Sequence, residues 1–576
     1  MSNRDSRAAY AERRRLLLVL LLGAMVTLVG RAVDLQLLNQ DFLQRKARKQ
    51  YVSLVSLSAY RGKIVDRNGE ALAISAPMHS VGVDPQQFEV GPAQRQKLAE
   101  LLEIDPVLLE SVVRPGSKKR FAYLKRHITP ESQRKIAALK LTGVIFKREY
   151  RRFYPAGEVA AHLIGFTNID DQGQEGLELA YQDWLDGKKG RKKVLRDGKR
   201  NAVADVEKTR DPVPGQELEL TIDQRLQYLA YRELKTAFIK HRAHSASLVL
   251  LDARNGDVLA MVNQPSYNPN SDKNLNGGRY RNRAITDIFE PGSTMKPFSV
   301  ACALDQGTLR ADAVIDTSPG YYRVGRNRVR DMHNYGELDV THILQKSSNV
   351  GVSKLALEVA PSSFWECFSR LGFGRPPGTG FPGEASGKLL GYEKLSPFLQ
   401  ATLSFGYGLS VSALQLARAY TAFANDGEML PVRLVKGVAP SEPALRVMTR
   451  ETAITVRNML EQVVTREGTA FRASVPGFRV AGKTGTVRKV GAEGYSDRRY
   501  VAVFAGLAPA SQPRVVMVVL MDEPQGKEYY AGQVAAPVFS KVMGSVLSLL
   551  GIQPDQEQFM PVVQVYRDGA FGDYRK

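Results

Sequence analysis

The sequence has only two cysteines, Cys302 and Cys367, among 576 residues. Two thiols cannot build a disulfide framework or a four-cysteine zinc site. A chain of this length buries large cores without such staples, so an oxidising compartment stays open to it. Long uncharged runs are equally scarce. Leu16 to Gly30 is one, and no later run is long and uncharged enough to span a bilayer. Zinc-finger spacing, an RNA-binding aromatic box and a basic zipper are all missing. Nucleic acid is therefore not the expected partner, although Lys and Arg outnumber Asp and Glu by 80 to 59, a net charge of +21. That charge points to an anionic membrane face or polymer, or simply to a basic surface. With 43% apolar and 24% charged residues the composition is ordinary, which excludes a disordered or collagen-like chain.

The N-terminus predicts a membrane anchor. Arg4, Arg7 and Arg13–Arg15 precede the apolar run. Its fifteen residues fall short of the roughly 20 that a span needs, but Arg31 to Leu38 extends it if Arg31 snorkels. A cleaved signal peptide needs a small-x-small site, and Gly23-Ala-Met25 and Gly30-Arg-Ala32 are poor ones. The expectation is a cytoplasmic tail at 1–15, one uncleaved anchor at 16–38 and an exported body. Arg45, Lys46, Arg48 and Lys49 weaken the positive-inside bias, yet long domains translocate largely regardless of it.

The body divides by composition. Residues 39–215 read as a mostly-β N-terminal module. Tyr51 to Leu57 is strand-like, Arg67-Asn-Gly69 is a hairpin cue, and the basic stretch Gly187 to Arg200 reads as a solvated hairpin. Asp211-Pro-Val-Pro-Gly215 marks a boundary. Residues 216–552 read as an α+β domain. Leu218 to Ile222 is a short strand, and Asp223 caps a helix over Gln224 to Ile239. Ser247 to Asp252 and Asp257 to Val262 form a hairpin around an Asn-Gly turn. Tyr500 to Leu507 and Arg514 to Met521 are late strands, and Gln533 to Leu550 is a final helix. The two chain ends thus close one antiparallel sheet flanked by helices. Residues 553–576 are a polar tail.

Three short motifs carry chemistry. In Ser293-x-x-Lys296 the two side chains share a helix face, so a neutral lysine can take the serine proton. Pro297 places Ser293 at or just before the helix start, where backbone N–H groups are free. Ser347-Ser-Asn349, after a helical run over Val340 to Lys346, can relay a proton and hold a substrate amide. In Lys483-Thr-Gly-Thr486 a strand edge offers Lys483, Thr484 and Thr486 to a carboxylate, with Gly485 leaving room for a ligand backbone. The N–H groups of Ser293 and Thr486 could form an oxyanion hole.

Each motif has imitators. Ser132-x-x-Lys135 reads as a surface helix start, Ser266-Tyr-Asn268 as a turn, and His241-Arg-Ala-His244 as surface helix. Gly477 to Thr484 matches the phosphate-binding loop pattern, so a nucleotide enzyme is a remote alternative. Its flanks lack the required strand before and helix after. No metal-ligand spacing or cofactor motif is expected.

Ser-x-x-Lys, Ser-x-Asn and Lys-Thr-Gly, in that order, resemble the signature of penicillin-binding proteins and serine β-lactamases. Arg61-Gly-Lys-Ile-Val-Asp-Arg-Asn-Gly69, Arg152-Phe-Tyr-Pro155 and Gly176-Leu-Glu178 resemble the N-terminal module of class B penicillin-binding proteins. Phe289 to Lys296 and Ser404-Phe-Gly-Tyr-Gly408 resemble their transpeptidase domain. The likeness covers about residues 50–550 and is greatest to the division-specific FtsI type. It implies a peptidoglycan D,D-transpeptidase without cofactor or metal, anchored in the inner membrane with its catalytic domain periplasmic. Ser293 would attack stem peptides ending in D-Ala-D-Ala, with Lys296 as base. Ser347, Asn349 and Lys483 would assist, and Thr484, Gly485 and Thr486 would bind substrate. β-Lactams would acylate Ser293. Implied partners are the FtsW glycosyltransferase and other division proteins. The alternatives are an elongation-specific enzyme and a penicillin-binding sensor or scaffold.

Overall fold

The computed structural model describes residues 3–42, 52–113, 119–196, 202–271, 277–439, 442–491 and 494–556. The chain forms two compact units, one of residues 1–60 with 187–215 and one of 61–186 with 216–576.

The first unit begins with a helix over Asn3–Val33 that continues as a wider turn over Asp34–Leu38. Arg13–Leu38, 26 residues, is long and apolar enough to cross a membrane. None of the described residues covers it: Leu20 and Leu28 are 62% and 71% exposed, as lipid-facing side chains would be. Arg31 pairs with Asp34 at 2.6 Å, which neutralises the cation within the extended apolar run. The unit also holds a three-stranded antiparallel sheet in the order 52–57, 190–196, 202–210. The expected basic hairpin is its second and third strands, and the hairpin tip lies outside the described residues.

In the second unit, β1 (Ile64–Val65) turns through Arg67-Asn-Gly69 into β2 (Ala71–Val83). β2 then pairs with both β3 (Ala122–Ile128) and β4 (Val144–Phe153). β5 (Leu218–Glu219) lies parallel to β1. It is shorter than its apolar run because Leu220 leaves to bridge Val435 and the Thr221 hydroxyl donates to Val258 and Arg433 carbonyls. α1 (Gln224–Lys240) starts at Asp223, whose carboxylate accepts from the Arg225 N–H.

The central sheet is antiparallel. It joins β6 (Ser245–Asp252) and β7 (Val258–Gln264) to β8 (Ala481–Gly491), β9 (Gly494–Ala508) and β10 (Val515–Asp522), in the order β7-β6-β10-β9-β8. Every residue of β6 is buried, because helices cover both faces and leave neither to water. Between the two halves of the sheet lie α2 (Lys296–Asp305), α3 (Val340–Lys346), α4 (Asn349–Leu357), α5 (Pro361–Arg370) and α6 (Ala413–Ala424). α7 (Ala536–Leu549) closes the domain. It begins later than the apolar run because Pro537 fits only a first helical turn, and a separate turn over Ala531–Val534 precedes it. Cys302 on α2 and Cys367 on α5 form a disulfide, a pairing for which the sequence carried no cue.

Candidate functional site

Ser293 lies in one tight turn, Gly292–Met295, that runs directly into α2 with Pro297 in its first turn. Side-chain bonds fix that turn: Thr294 Oγ1 donates to Pro291 O at 2.8 Å, and buried Tyr420 donates to Thr294 O at 2.9 Å. The loop Ser404–Gly408 packs onto it, with the Gly292 N–H donating to Gly406 O at 3.2 Å. Gly406 has φ +84, and a Cβ there would meet Gly292 O at 2.2 Å. Only glycine allows this approach. Ser293 is half-buried between fully buried neighbours.

Lys296 follows one turn later and is fully buried. Its Nζ donates to Ser347 O at 2.5 Å and to Ser347 Oγ at 3.1 Å. Lys483, also fully buried, reaches the same oxygen from β8 at 3.0 Å. One hydroxyl thus joins two buried lysines. Burial pushes the Lys296 ammonium well below its usual range, and the neighbouring Lys483 charge pushes it further, against the pull of Asp331. Burial alone pushes Lys483 down to about 7. Two ammonium groups around one hydroxyl in a dry site repel each other, so a neutral amine is favoured at neutral pH.

Ser347 ends α3 in the left-handed region, φ +62. Such backbone strain in a non-glycine residue persists only where its surroundings over-determine it. Ser348 caps α4, accepting from the Gly351 N–H at 2.9 Å. Asp331 holds the whole turn. Its carboxylate accepts from Ser348 Oγ and the Asn349 N–H, each at 2.5 Å, and from the Val350 N–H at 3.0 Å. Asn349 Nδ2 donates to Arg330 O at 3.0 Å. Sequence reasoning missed Asp331, since nothing marks an acid sixteen residues upstream in a polar, turn-rich stretch.

On β8, Thr484 Oγ1 hydrogen-bonds Thr469 Oγ1 at 2.9 Å, and Thr486 Oγ1 accepts from the Ala531 N–H at 3.0 Å. The Thr486 proton is then available to an acceptor such as a carboxylate. Gly485 has a role beyond ligand clearance. A Cβ there would meet Pro291 O at 2.7 Å and Val503 Cγ1 at 2.9 Å, so glycine lets the strand close against the serine turn.

The structure therefore brings Lys296, Ser347 and Lys483 into direct contact, with Ser293 on the turn before Lys296 and Asn349 on the turn after Ser347. The imitators stay apart. Ser132 and Lys135 lie on a surface helix where Lys135 pairs with Glu131. Ser266 donates to Glu158 O and Asn268 accepts from the Asn270 N–H. His241 ends α1, and His244 meets Asp522. The Gly477–Thr484 stretch runs through a Val475–Phe478 bridge into β8 and opens no helix. With Lys483 buried in the sheet opposite Ala505, it cannot cradle phosphate in the way a helix-opening loop does.

Residues 246–544 match the penicillin-binding protein transpeptidase domain, and residues 56–220 the penicillin-binding protein dimerisation domain. The chain is 42% identical over 532 residues to the probable peptidoglycan D,D-transpeptidase PenA of Neisseria meningitidis, covering 92% of this chain and 91% of that one. It is 42% identical over 540 residues to the peptidoglycan D,D-transpeptidase FtsI of Escherichia coli, covering 93% and 91%. The crystal structure of penicillin-binding protein 3 from Mycobacterium tuberculosis, complexed with aztreonam, superposes with a TM-score of 0.68 at 28% identity, covering 87% of this chain and 98% of that one.

Proposed function

The chain belongs to the class B penicillin-binding proteins and is a peptidoglycan D,D-transpeptidase, and we propose that Ser293 is the nucleophile that carries the acyl group. Lys296 takes the Ser293 proton as the hydroxyl attacks the carbonyl of the penultimate D-Ala. The N–H groups of Ser293 and Thr486 receive the developing oxyanion. Ser347, bonded to both lysines, passes the proton to the departing D-Ala amine. The Ser293 ester is then opened by the amine of a second stem peptide. Asn349 holds the donor amide, Lys483 supplies the local field, and Thr484, Gly485 and Thr486 receive the terminal carboxylate. β-Lactams acylate Ser293 in the same way, because their strained amide presents the same carbonyl and carboxylate.

One observation carries this reading: a single hydroxyl, Ser347 Oγ, lies between two fully buried lysines whose charged forms burial disfavours. A structural lysine gains nothing from such a place, whereas a general base needs a pKa near the working pH. Intact mass of the full chain in detergent after benzylpenicillin, beside a Ser293→Ala control, is the test. A single adduct absent from the control is expected. No adduct on folded protein overturns the assignment.

The same reading extends to the cell. The tail at 1–15 is cytoplasmic, 16–38 anchors the chain in the inner membrane, and the body is periplasmic. Residues 39–215 serve as a pedestal for partners, 216–552 as the catalytic domain, and 553–576 as a tail. The work is septal, with the FtsW glycosyltransferase and other division proteins as partners. The likeness to FtsI over most of both chains supports this.

A further inference from the structure

Two segments flank the Ser293 turn. One is the Ser404–Gly408 loop. Its Gly406 O accepts from the Gly292 N–H at 3.2 Å, and the Ser299 hydroxyl of α2 donates to Ser404 O at 2.7 Å. The other is β8, an edge strand of the central sheet. A Cβ on Gly292 would clash with Val487 Cγ2, and one on Gly485 would meet Pro291 O at 2.7 Å. The turn is therefore in contact on both sides, and the span between loop and strand decides where Ser293 stands.

One side chain bonds to both flanks. Glu290 lies just before the turn. Its Oε1 accepts from the Gly408 N–H of the loop at 2.9 Å and from Tyr495 OH of the β8–β9 hairpin at 3.3 Å. Tyr495 is held in that hairpin opposite Val490. Its ring meets the ring of Tyr407, on the loop, edge to face with centroids 5.5 Å apart. Polar and aromatic contacts thus link loop and hairpin at the same point. The backbone beneath is pinned, because Phe289 and Val411 exchange bonds of 3.0 and 2.9 Å. Other roles suit Glu290 less well. Burial pushes its carboxyl pKa up, against the bonds from Gly408 and Tyr495, and no lysine or arginine among the described residues offsets this. A half-buried carboxylate without a cation costs stability, so stability of the fold does not account for it. Its bonds go to Gly408 and Tyr495 and not to Lys296, Ser347 or Lys483, which leaves it outside the proton path.

We infer that Glu290 is a positioning residue for the acyl transfer: by tying the Ser404–Gly408 loop to the β8–β9 hairpin it fixes the span that holds the Ser293 turn, and so sets where the serine hydroxyl stands relative to the Thr486 N–H. The inference rests on the reading of Ser293 as the nucleophile. Glu290 acts through that turn and touches no substrate, so its loss alters the chemical step and leaves ligand binding in place.

The test follows acylation of the full chain in detergent by a chromogenic cephalosporin. Stopped-flow saturation separates the dissociation constant from the first-order acylation rate. Glu290→Ala removes both bonds. Its acylation rate should fall by about 10- to 100-fold, because displacing a reacting group by about 1 Å costs on the order of 100-fold. Its dissociation constant should change by less than about threefold. Glu290→Gln keeps an acceptor oxygen for both donors and should stay within about threefold of the parent rate. Tyr495→Phe keeps the ring and loses one bond, so its rate should fall by at least about threefold, and adding it to Glu290→Ala should cost nothing further. Thermal unfolding checks that each variant folds, and if Glu290→Ala does not, Tyr495→Phe decides. Four results overturn the inference. The first is an unchanged acylation rate in the deciding variant, which leaves Glu290 a purely structural role. The second is an equal loss in Glu290→Gln, which assigns the carboxylate to proton transfer. The third is a change confined to the dissociation constant, which makes Glu290 a ligand contact. The fourth is a fully additive loss in the double variant, which uncouples Tyr495 from Glu290. A parent that is not acylated removes the Ser293 reading and this inference together, whereas an acylated parent matched by its variants removes this inference alone.

Discussion

Asp331→Asn tests how the Ser-x-Asn turn is held. The Asp331 carboxylate accepts three hydrogen bonds, from Ser348 Oγ, the Asn349 N–H and the Val350 N–H. Bonds to a charged acceptor contribute about 1.5–3 kcal/mol each. Asparagine can keep its oxygen on the two N–H groups, but it removes the charge behind all three bonds and sets an NH2 against the Ser348 hydroxyl, which must then stop donating there, so a local loss of about 2–4 kcal/mol follows. Ser347 then relaxes from its left-handed backbone, and its hydroxyl drifts from the two lysines. Displacing a catalytic group by about 1 Å costs on the order of 100-fold in rate, and the second-order acylation rate with a chromogenic cephalosporin should fall by that much. A second effect has the opposite character. Asp331 raises the Lys296 pKa through its charge. Removing the charge lowers that pKa, so neutral lysine persists to lower pH. The acid limb of the acylation profile should therefore shift to lower pH even as the plateau falls. An unchanged plateau, or an acid limb that moves to higher pH, refutes the reasoning.

Glu178 joins the Nε atoms of Arg61 and Arg152, each at 2.6 Å, with all three side chains at most 1% exposed. Glu178→Gln leaves two buried cations facing a neutral amide, and urea unfolding should show a loss of about 3–5 kcal/mol. A loss below about 1 kcal/mol would mean that the cluster is solvated. Lys483→Met should abolish acylation and raise the unfolding midpoint at pH 7. The native Lys483 pKa is about 7 against 10.5 unfolded, so the unfolded chain binds more protons between those values and the penalty shrinks as pH rises. The methionine advantage should therefore fade toward pH 10, and a growing advantage refutes the argument. The Cys302–Cys367 bond links α2, which carries Lys296, to α5 across 65 residues. Cys367→Ser should cost about 2–5 kcal/mol under oxidising conditions and should make thermal unfolding insensitive to dithiothreitol. Equal reductant sensitivity in parent and variant would show that the bond does not form.

What the sequence made legible was the part whose chemistry needs fixed spacings. Pro297 located the start of α2, Asn255-Gly256 located the β6–β7 turn, and the three motifs named every side chain that meets at Ser347 Oγ. The rest depends on contacts between distant segments. Asp331 looks like any loop acid until α4 presents its first N–H groups to it. Gly485 is readable as a place for something close, yet only the fold makes that neighbour the serine turn. Arg61, Arg152 and Glu178 are the sharpest case. In the sequence they carry a family resemblance and no chemistry, and they stand up to 117 residues apart. In the structure they are one buried ion cluster that spends two guanidinium groups on a single carboxylate. A buried cluster with one excess positive charge is costly unless further anions or dipoles face it. The main-chain oxygens of Asp171 and Glu178 accept from Arg61, and the Ser75 hydroxyl oxygen accepts from Arg152 Nη1. The same three residues thus brace the N-terminal segment of the second unit, a role that no spacing rule could have revealed.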